Sequence, residues 1–367
     1  MGRRFDPDRA HHLITSRYDC GVKQEYLYED VIGRQTKVSL SNQLNAGAFN
    51  GERVLITGAG GSIGSKIAEA LSKFSNIQML ATDRDENRLH SLSLRLMGSA
   101  LFDSSQFQVL DVKDVIGVRN CIIKYRPTIL IHAAALKHLA VLEKQPREAY
   151  LTNVLGTYNL LSTASSLGVN RLLNISTDKA ANPVSVLGKT KYIGELLTSK
   201  YRSLGNSNFT SVRFGNVFNS HGSVIETFAS QLEKNSPVTL TDLNVARYFM
   251  KIEEAASLSL RAVLLNHNDV HILNMGEQIK LVDVVNKMKK ISQSNSVIEI
   301  VGLRKGEKLR EELHSGSEMI SATSFPDIQS IKSAFIYSSL PDLNADVTSD
   351  IEALDLIEAL IRDNAKS

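Results

Sequence analysis

Residues 53–64 read RVLITGAGGSIG, and this stretch decides the fold. A short apolar run, Arg53 to Thr57, has the composition of a buried strand. Gly58, Gly61 and Gly64 follow at three-residue spacing and lead into SKIAEALSKF (65–74), whose apolar residues recur at helical spacing. Strand, glycine turn and helix in that order make the opening unit of a dinucleotide-binding fold. The rhythm continues outward as IQMLATD (77–83), ENRLHSLSLRLM (86–97) and FQVLD (107–111). TILIHAA (128–134) comes next, then a helix near 148–167, the strand RLLNIS (171–176), a helix near 189–204 and the strand TSVRF (210–214). Parallel strands joined by crossover helices predict an α/β fold, a Rossmann-type doubly wound parallel sheet.

Past Asn216 the alternation loosens, which predicts a smaller C-terminal substrate-binding lobe. Two further strands are expected there, at VHILNM (270–275) and VIEIVG (297–302). The expected division is an N-terminal arm (1–50) with a short helix near 25–32, and a dinucleotide-binding domain (51–215) with a returning segment near 250–280. The lobe then covers 216–345, and a docking helix covers 346–367, where SDIEALDLIEALIRDN has apolar residues at helical spacing.

The composition narrows the function. Of the 367 residues 43% are hydrophobic and 22% charged, as in an ordinary globular protein. A net charge of +3 with interspersed signs gives no footprint for nucleic acid. Cys20 and Cys121, the only two cysteines, lie far apart without metal-ligand spacing, so neither a disulfide framework nor a metal site is expected. No apolar run reaches the roughly 20 residues of a membrane span, so membrane insertion is not expected and a cytoplasmic location is.

The glycines have a physical purpose. One makes the tight turn, one admits the pyrophosphate to the backbone amides, and one lets helix and strand close up. Ser62, Ile63 and Gly64 then offer the helix N-terminus to phosphate charge. Asp83 ends the second strand nineteen positions past Gly64, where a carboxylate meets the adenosine ribose hydroxyls. That favours NAD. The neighbouring Arg84 keeps NADP open, because a guanidinium welcomes a 2′-phosphate. Asp111 and Val112 are candidates for the adenine edge, and Ala133 and Ala134 for the cofactor wall after the fourth strand.

Several blocks, in this order, carry a resemblance: TGAGGSIGS (57–65), DVKD (111–114), HAAALKH (132–138), TNVLGTYN (152–159), STDKAANPVSVLGKTK (176–191), RFGNV (213–217), ARYFM (246–250) and GLRKGEKLREEL (302–313). Together they resemble the extended short-chain dehydrogenase/reductases. Within these the chain is similar to the nucleotide-sugar 4,6-dehydratases of capsular polysaccharide and protein glycosylation, from about Leu27 to about Leu313. Many members carry a transmembrane region ahead of this domain; here only the linker-like VIGR (31–34) is found.

The resemblance implies a redox-neutral dehydration of UDP-N-acetylglucosamine and a homo-oligomer. Elimination of water across C5 and C6 needs a base and an acid. Asp178 is the expected acid and Lys179 the expected base, provided the site lowers its pKa. Lys191 matches the lysine that holds the nicotinamide ribose. Four residues before it the superfamily has a tyrosine, and this chain has Leu187, as in members with methionine there that retain configuration at C5. Thr177, Asp178 and Lys179 are the candidates for the proton that the tyrosine would take.

Ser176 matches a substrate-orienting hydroxyl, and Asn153 a residue that organises the loop under the site, each of which is equally readable as a structural hydrogen bonder. Arg247, Arg304 and Asn216 match positions that face the nucleotide diphosphate, with Glu307 a ribose ligand or a brace for Arg247. Lys305 replaces a usual proline. Lys137 is a candidate sugar contact, and His138 reads better as a structural histidine. An inverting dehydratase, a 4-epimerase and a non-catalytic NAD and UDP-sugar binder are the alternatives. The epimerase depends on the tyrosine that is missing.

Overall fold

A computed structural model describes residues 26–35, 44, 47–98, 105–205, 207–265, 270–332 and 337–365. Cys20 lies outside them, and the expected arm is described only in part. The central sheet is built from β1 (Arg53–Thr57), β2 (Gln78–Asp83), β3 (Phe107–Val109), β4 (Ile129–His132), β5 (Arg171–Ile175), β6 (Asn208–Arg213), β7 (Val270–Leu273), β8 (Met319–Ala322) and β9 (Ile328–Lys332). Its spatial order is β8-β9-β7-β6-β5-β4-β1-β2-β3. Pairing is parallel from β3 to β7, while β9 runs antiparallel to both β7 and β8. The order reverses between β1 and β4, the switch point where such sheets open a crevice at the strands' carboxyl ends.

Successive residues of the buried strands go to opposite faces. Leu55, Leu130 and Leu172 join one apolar cluster with Val118, Leu160 and Leu196. Val54, Ile56, Ile131 and Leu173 join the other with Ile67, Leu71 and Leu258. The helices are α1 (Ser62–Leu71), α2 (Glu86–Met97), α3 (Val115–Tyr125), α4 (Gly156–Ser166), α5 (Val186–Ser203), α6 (Val224–Glu233), α7 (Ile252–Ala262), α8 (Leu281–Ser292) and α9 (Asp350–Ala365), and all but α6 and α8 pack on these two faces. α7 returns to pack on α1, and α9 docks against α5 and the turn at Pro146–Ala149.

The smaller lobe has its own core, in which Ile225, Phe228 and Leu232 of α6 meet Val284, Val285 and Met288 of α8. Tyr28, Val31 and Ile32 of the short helix Tyr28–Ile32 pack into that core. Arg34 stitches the segment back by donating to Met275 O (3.0 Å) and Glu254 Oε1 (2.8 Å). The hairpin β8–β9 falls within the span expected for the lobe and extends the main sheet. Its β8 is exposed along its length and lacks the apolar run that marks an inner strand. Among the described residues no helix is long and apolar enough to cross a membrane, and no cluster of three His, Cys, Asp or Glu residues is arranged to hold a metal ion. Cys121 is a buried free thiol, its pKa pushed up to about 11 by burial.

Candidate active site

The glycine turn leaves no room for side chains. Gly58 has φ +68°, and a Cβ on it would stand 2.5 Å from Ala134 N; one on Gly64 would stand 2.2 Å from Gly58 O. Gly60, which the spacing rule passes over, is equally constrained, with Arg88 Cβ at 2.5 Å from its would-be Cβ. α1 begins at Gly61 without a side-chain cap, so its first amides are free for an anion. Asp83 braces this turn by accepting from Gly60 N (2.9 Å) and Asp85 N (3.0 Å). Uncapped amides, a side-chain-free approach and a carboxylate at the end of β2 fit a dinucleotide: Gly58 to Gly64 would hold the pyrophosphate and Asp83 the ribose.

Arg84, exposed, shares a concavity with Lys137, His138, Val141 and Glu148. The His138 ring lies against Gly222, whose would-be Cβ is 2.4 Å from its Cε1. The same loop reaches α1, where His221 N donates to Ser62 Oγ (3.1 Å). Asp111 is half-buried and accepts from Lys113 N (3.0 Å). Val112 is buried, its carbonyl taken by Asn159 Nδ2 (3.1 Å). Ala133 and Ala134 are half-buried beyond β4, with Ala133 N bonded to Thr57 O (3.0 Å).

At the carboxyl end of β5 the chain enters a 3₁₀ turn, Asp178–Ala180, that lies against the first turn of α5; a Cβ on Gly188 would stand 2.4 Å from Lys179 O. Asp178 is 1% exposed. Its Oδ1 accepts from Thr177 Oγ1 (2.9 Å) and Lys179 Nζ (3.0 Å), and its Oδ2 is buried without a partner. Glu311, which the sequence reading did not single out, arrives from the other side with Oε1 3.5 Å from Lys179 Nζ. Burial and the nearby Arg247 both oppose the charge on Lys179, yet Asp178 and Glu311 outweigh them and hold its pKa above the usual lysine value. The expected depression is therefore corrected: the chain's own groups keep Lys179 an ammonium. Lys191 is the opposite case, because burial lowers its pKa to about 8 against a weaker pull from Glu195.

Leu187 is buried in the apolar cluster of α4 and α5. Asn153 sits in a π-helical turn, Tyr150–Leu155, and is 1% exposed. Its amide exchanges hydrogen bonds with Leu136 N and O (2.8 and 3.0 Å) and donates to Thr190 Oγ1 (3.2 Å). Asn153 thus clamps the loop after β4 to α5. Ser176 is likewise engaged, donating to Glu195 Oε1 at 2.5 Å. Glu195 pairs with Arg213, which pairs in turn with Glu318, and Arg213 is 1% exposed.

On the lobe side, Arg247 is buried, donating to Ala246 O (2.8 Å) and Leu309 O (3.2 Å) and pairing with Glu307 Oε1 (3.2 Å). Glu307 is also bonded to Thr241 Oγ1 (2.9 Å). Arg304 is exposed, and Asn216 is half-buried in a two-residue strand paired with Phe249–Met250. Lys305, the proline replacement, reaches Glu143 Oε2 at 3.7 Å. The structure thus gathers Thr177, Asp178, Lys179, Arg247 and Glu307 with Glu311, and leaves Arg84 and Lys137 in a separate concavity.

The chain is similar to three kinds of relative. The probable polysaccharide biosynthesis protein EpsC of Bacillus subtilis is 37% identical over 324 residues, covering 86% of this chain and 54% of that protein. The chain thus spans about half the length of that relative. A UDP-glucose 4-epimerase of Rickettsia rickettsii is 31% identical over 287 residues, 76% of this chain and 82% of that one. The X-ray structure of Pen from Bacillus thuringiensis superposes with a TM-score of 0.68 at 28% identity, covering 86% of this chain and 98% of that chain. A family model described as polysaccharide biosynthesis protein matches residues 54–333, which takes in both the glycine turn and the cluster around Lys179. The chain belongs to this polysaccharide biosynthesis family, built on the extended short-chain dehydrogenase/reductase fold.

Proposed function

We propose that the chain is a nucleotide-sugar 4,6-dehydratase that converts UDP-N-acetylglucosamine to its 4-keto-6-deoxy derivative with retention at C5, in the assembly of a surface polysaccharide or glycoconjugate. The observation that carries this reading is the pair of buried Asp178 and half-buried Lys179 at the carboxyl end of β5, in a site whose tyrosine position is Leu187. When bound, NAD supplies the hydride acceptor for the sugar C4 and the hydride returned to C6. NADP is the second choice, through Arg84. The carbonyl at C4 acidifies the C5 proton, and the chain supplies the rest.

Lys179 as the neutral amine takes the C5 proton. Asp178 as the neutral acid gives its proton to the C6 oxygen, so that water leaves. Thr177, bonded to Asp178 Oδ1, orients the acid and relays to water the C4 hydroxyl proton that Leu187 has no group to accept. Lys191 holds the nicotinamide ribose. Asn216 and Arg304 meet the UDP moiety, with Arg247 fixed by Glu307 beside them. The enzyme is read as a cytoplasmic homo-oligomer.

A 4-epimerase needs neither the acid nor the base, which leaves the pair without a purpose in that reading. Incubation of the purified protein with UDP-N-acetylglucosamine and NAD, followed by mass analysis, tests the proposal. The expected product is lighter by one water. A product of unchanged mass with inverted C4 overturns dehydration in favour of epimerisation.

A further inference from the structure

Lys179 faces three charged groups: Asp178 on its own turn, Glu311 from the strap 302–313 and Arg247 from the lobe. Glu311 is 2% exposed, and the strap holds it there on both sides. Gln278 Nε2 donates to Glu311 O (2.7 Å), Lys308 Nζ to Asn182 O (2.5 Å), Asn182 Nδ2 to Glu312, and Arg213 Nη1 to Leu313 O (3.3 Å). Two oxygens of the trio, Asp178 Oδ2 and Glu311 Oε2, are buried with no hydrogen-bond partner. Buried carboxylate oxygens are costly to leave unpaired, so a trio of two carboxylates and one ammonium is set up for protonic traffic more than for stability.

We propose that Glu311 is a positioning residue: the second counterion of Lys179, which holds the ammonium on the far side from Asp178 and governs how readily it gives up its proton. The inference rests on the dehydratase reading for its purpose. Counted with Lys179 as the ammonium that its raised pKa favours and with both carboxyls ionised, the trio carries a net charge of −1. Moving one proton along the 3.0 Å contact breaks an N–H bond of Lys179 and forms an O–H bond on Asp178. The result is a neutral amine and a neutral acid, the two forms that elimination requires, with Glu311 keeping the net charge at −1. Glu311, 3.5 Å from the ammonium, opposes this transfer and so sets how much it costs.

The test is competitive amine labelling of Lys179 across pH, read by peptide mass spectrometry. It needs no turnover, so it stands apart from the dehydratase reading. In the wild-type protein Lys179 is expected to label with a midpoint above that of an ordinary lysine. Glu311→Gln is expected to lower the midpoint by about 1 unit or more, the usual effect of one close opposite charge, and to shift the pH dependence of turnover the same way. Glu311→Asp, which keeps the charge, is expected to restore most of the shift, with Lys191 as internal control. A wild-type midpoint below the ordinary lysine range overturns the proposal even if neither variant folds; so does an equal shift in both variants, or none in Glu311→Gln. Protein that shows the shift yet makes no dehydrated product overturns the dehydratase reading and leaves the charge role of Glu311 standing.

Discussion

Two cations in this molecule, buried Arg213 and half-buried Lys179, are each held between two carboxylates, and they differ in what is left over. Arg213, on β6, donates to both oxygens of Glu195 and to both of Glu318 at 2.6–3.1 Å, and to Leu313 O. No atom of that carboxylate pair is orphaned among the described residues. Lys179, on the 3₁₀ turn after β5, has Asp178 at 3.0 Å and Glu311 at 3.5 Å, with one oxygen of each carboxylate unpartnered. Guanidinium forks saturate carboxylates; an ammonium has fewer and less directed donors and leaves them short. The saturated sandwich fixes the strand ends, and the unsaturated one keeps free valence where chemistry is proposed.

The sharpest way to break this comparison is to remove the acid or the amine. Asp178→Asn and Lys179→Met are each expected to lower the rate of dehydration by about 100- to 10,000-fold, the contribution of a general acid or base, while bound cofactor measured by absorbance stays near wild type. Wild-type turnover in either variant contradicts the assignment. Arg213→Met is expected to act on the fold instead. It strands Glu195 and Glu318 in the interior and should cost about 3 to 5 kcal/mol in denaturant unfolding; a loss under about 1 kcal/mol, the range of a surface pair, would show that the sandwich is not structural.

Lys191 sharpens the contrast as a buried cation with no ion pair among the described residues. Its folded pKa is about 8, below the ordinary lysine value. Below that pH both states carry the proton and the burial cost is complete. Between about 8 and the lysine range the unfolded chain binds more protons than the folded one, so stability rises with pH. Relative to Lys191→Met, the wild type should gain about 1 to 3 kcal/mol across that window. A gain in the opposite direction would place a carboxylate beside Lys191. An effect of similar size is expected at the cofactor turn, where Gly64→Ala drives a Cβ onto Gly58 O and should cost about 1 to 3 kcal/mol, read as weaker NAD binding and a lower melting temperature.

What the sequence makes legible is what lies close along the chain. The glycine turn, Asp83 and the Ser176-to-Lys179 run are set by strand and helix periods and by spacings of a few residues. Glu311 was not legible because its partner Lys179 is far away in sequence, and nothing in the pair Glu311–Glu312 says which carboxylate turns inward; the structure buries the first and exposes the second. The Arg213 sandwich likewise joins residues from α5, β6 and the segment before β8. Asn153 was readable as polar and well placed, but only its three bonds to Leu136 and Thr190 show it to be a clamp. The hairpin β8–β9 escaped because an exposed edge strand carries no apolar signature.

The most direct measurement of the central claim is the reaction run in D₂O with UDP-N-acetylglucosamine. A proton lifted from C5 by Lys179 mixes with solvent before return, so the account predicts a 4-keto-6-deoxy product carrying one deuterium at C5, absent from the Lys179→Met reaction. A 4-epimer without deuterium, or a dehydrated product labelled equally by Lys179→Met, would contradict it.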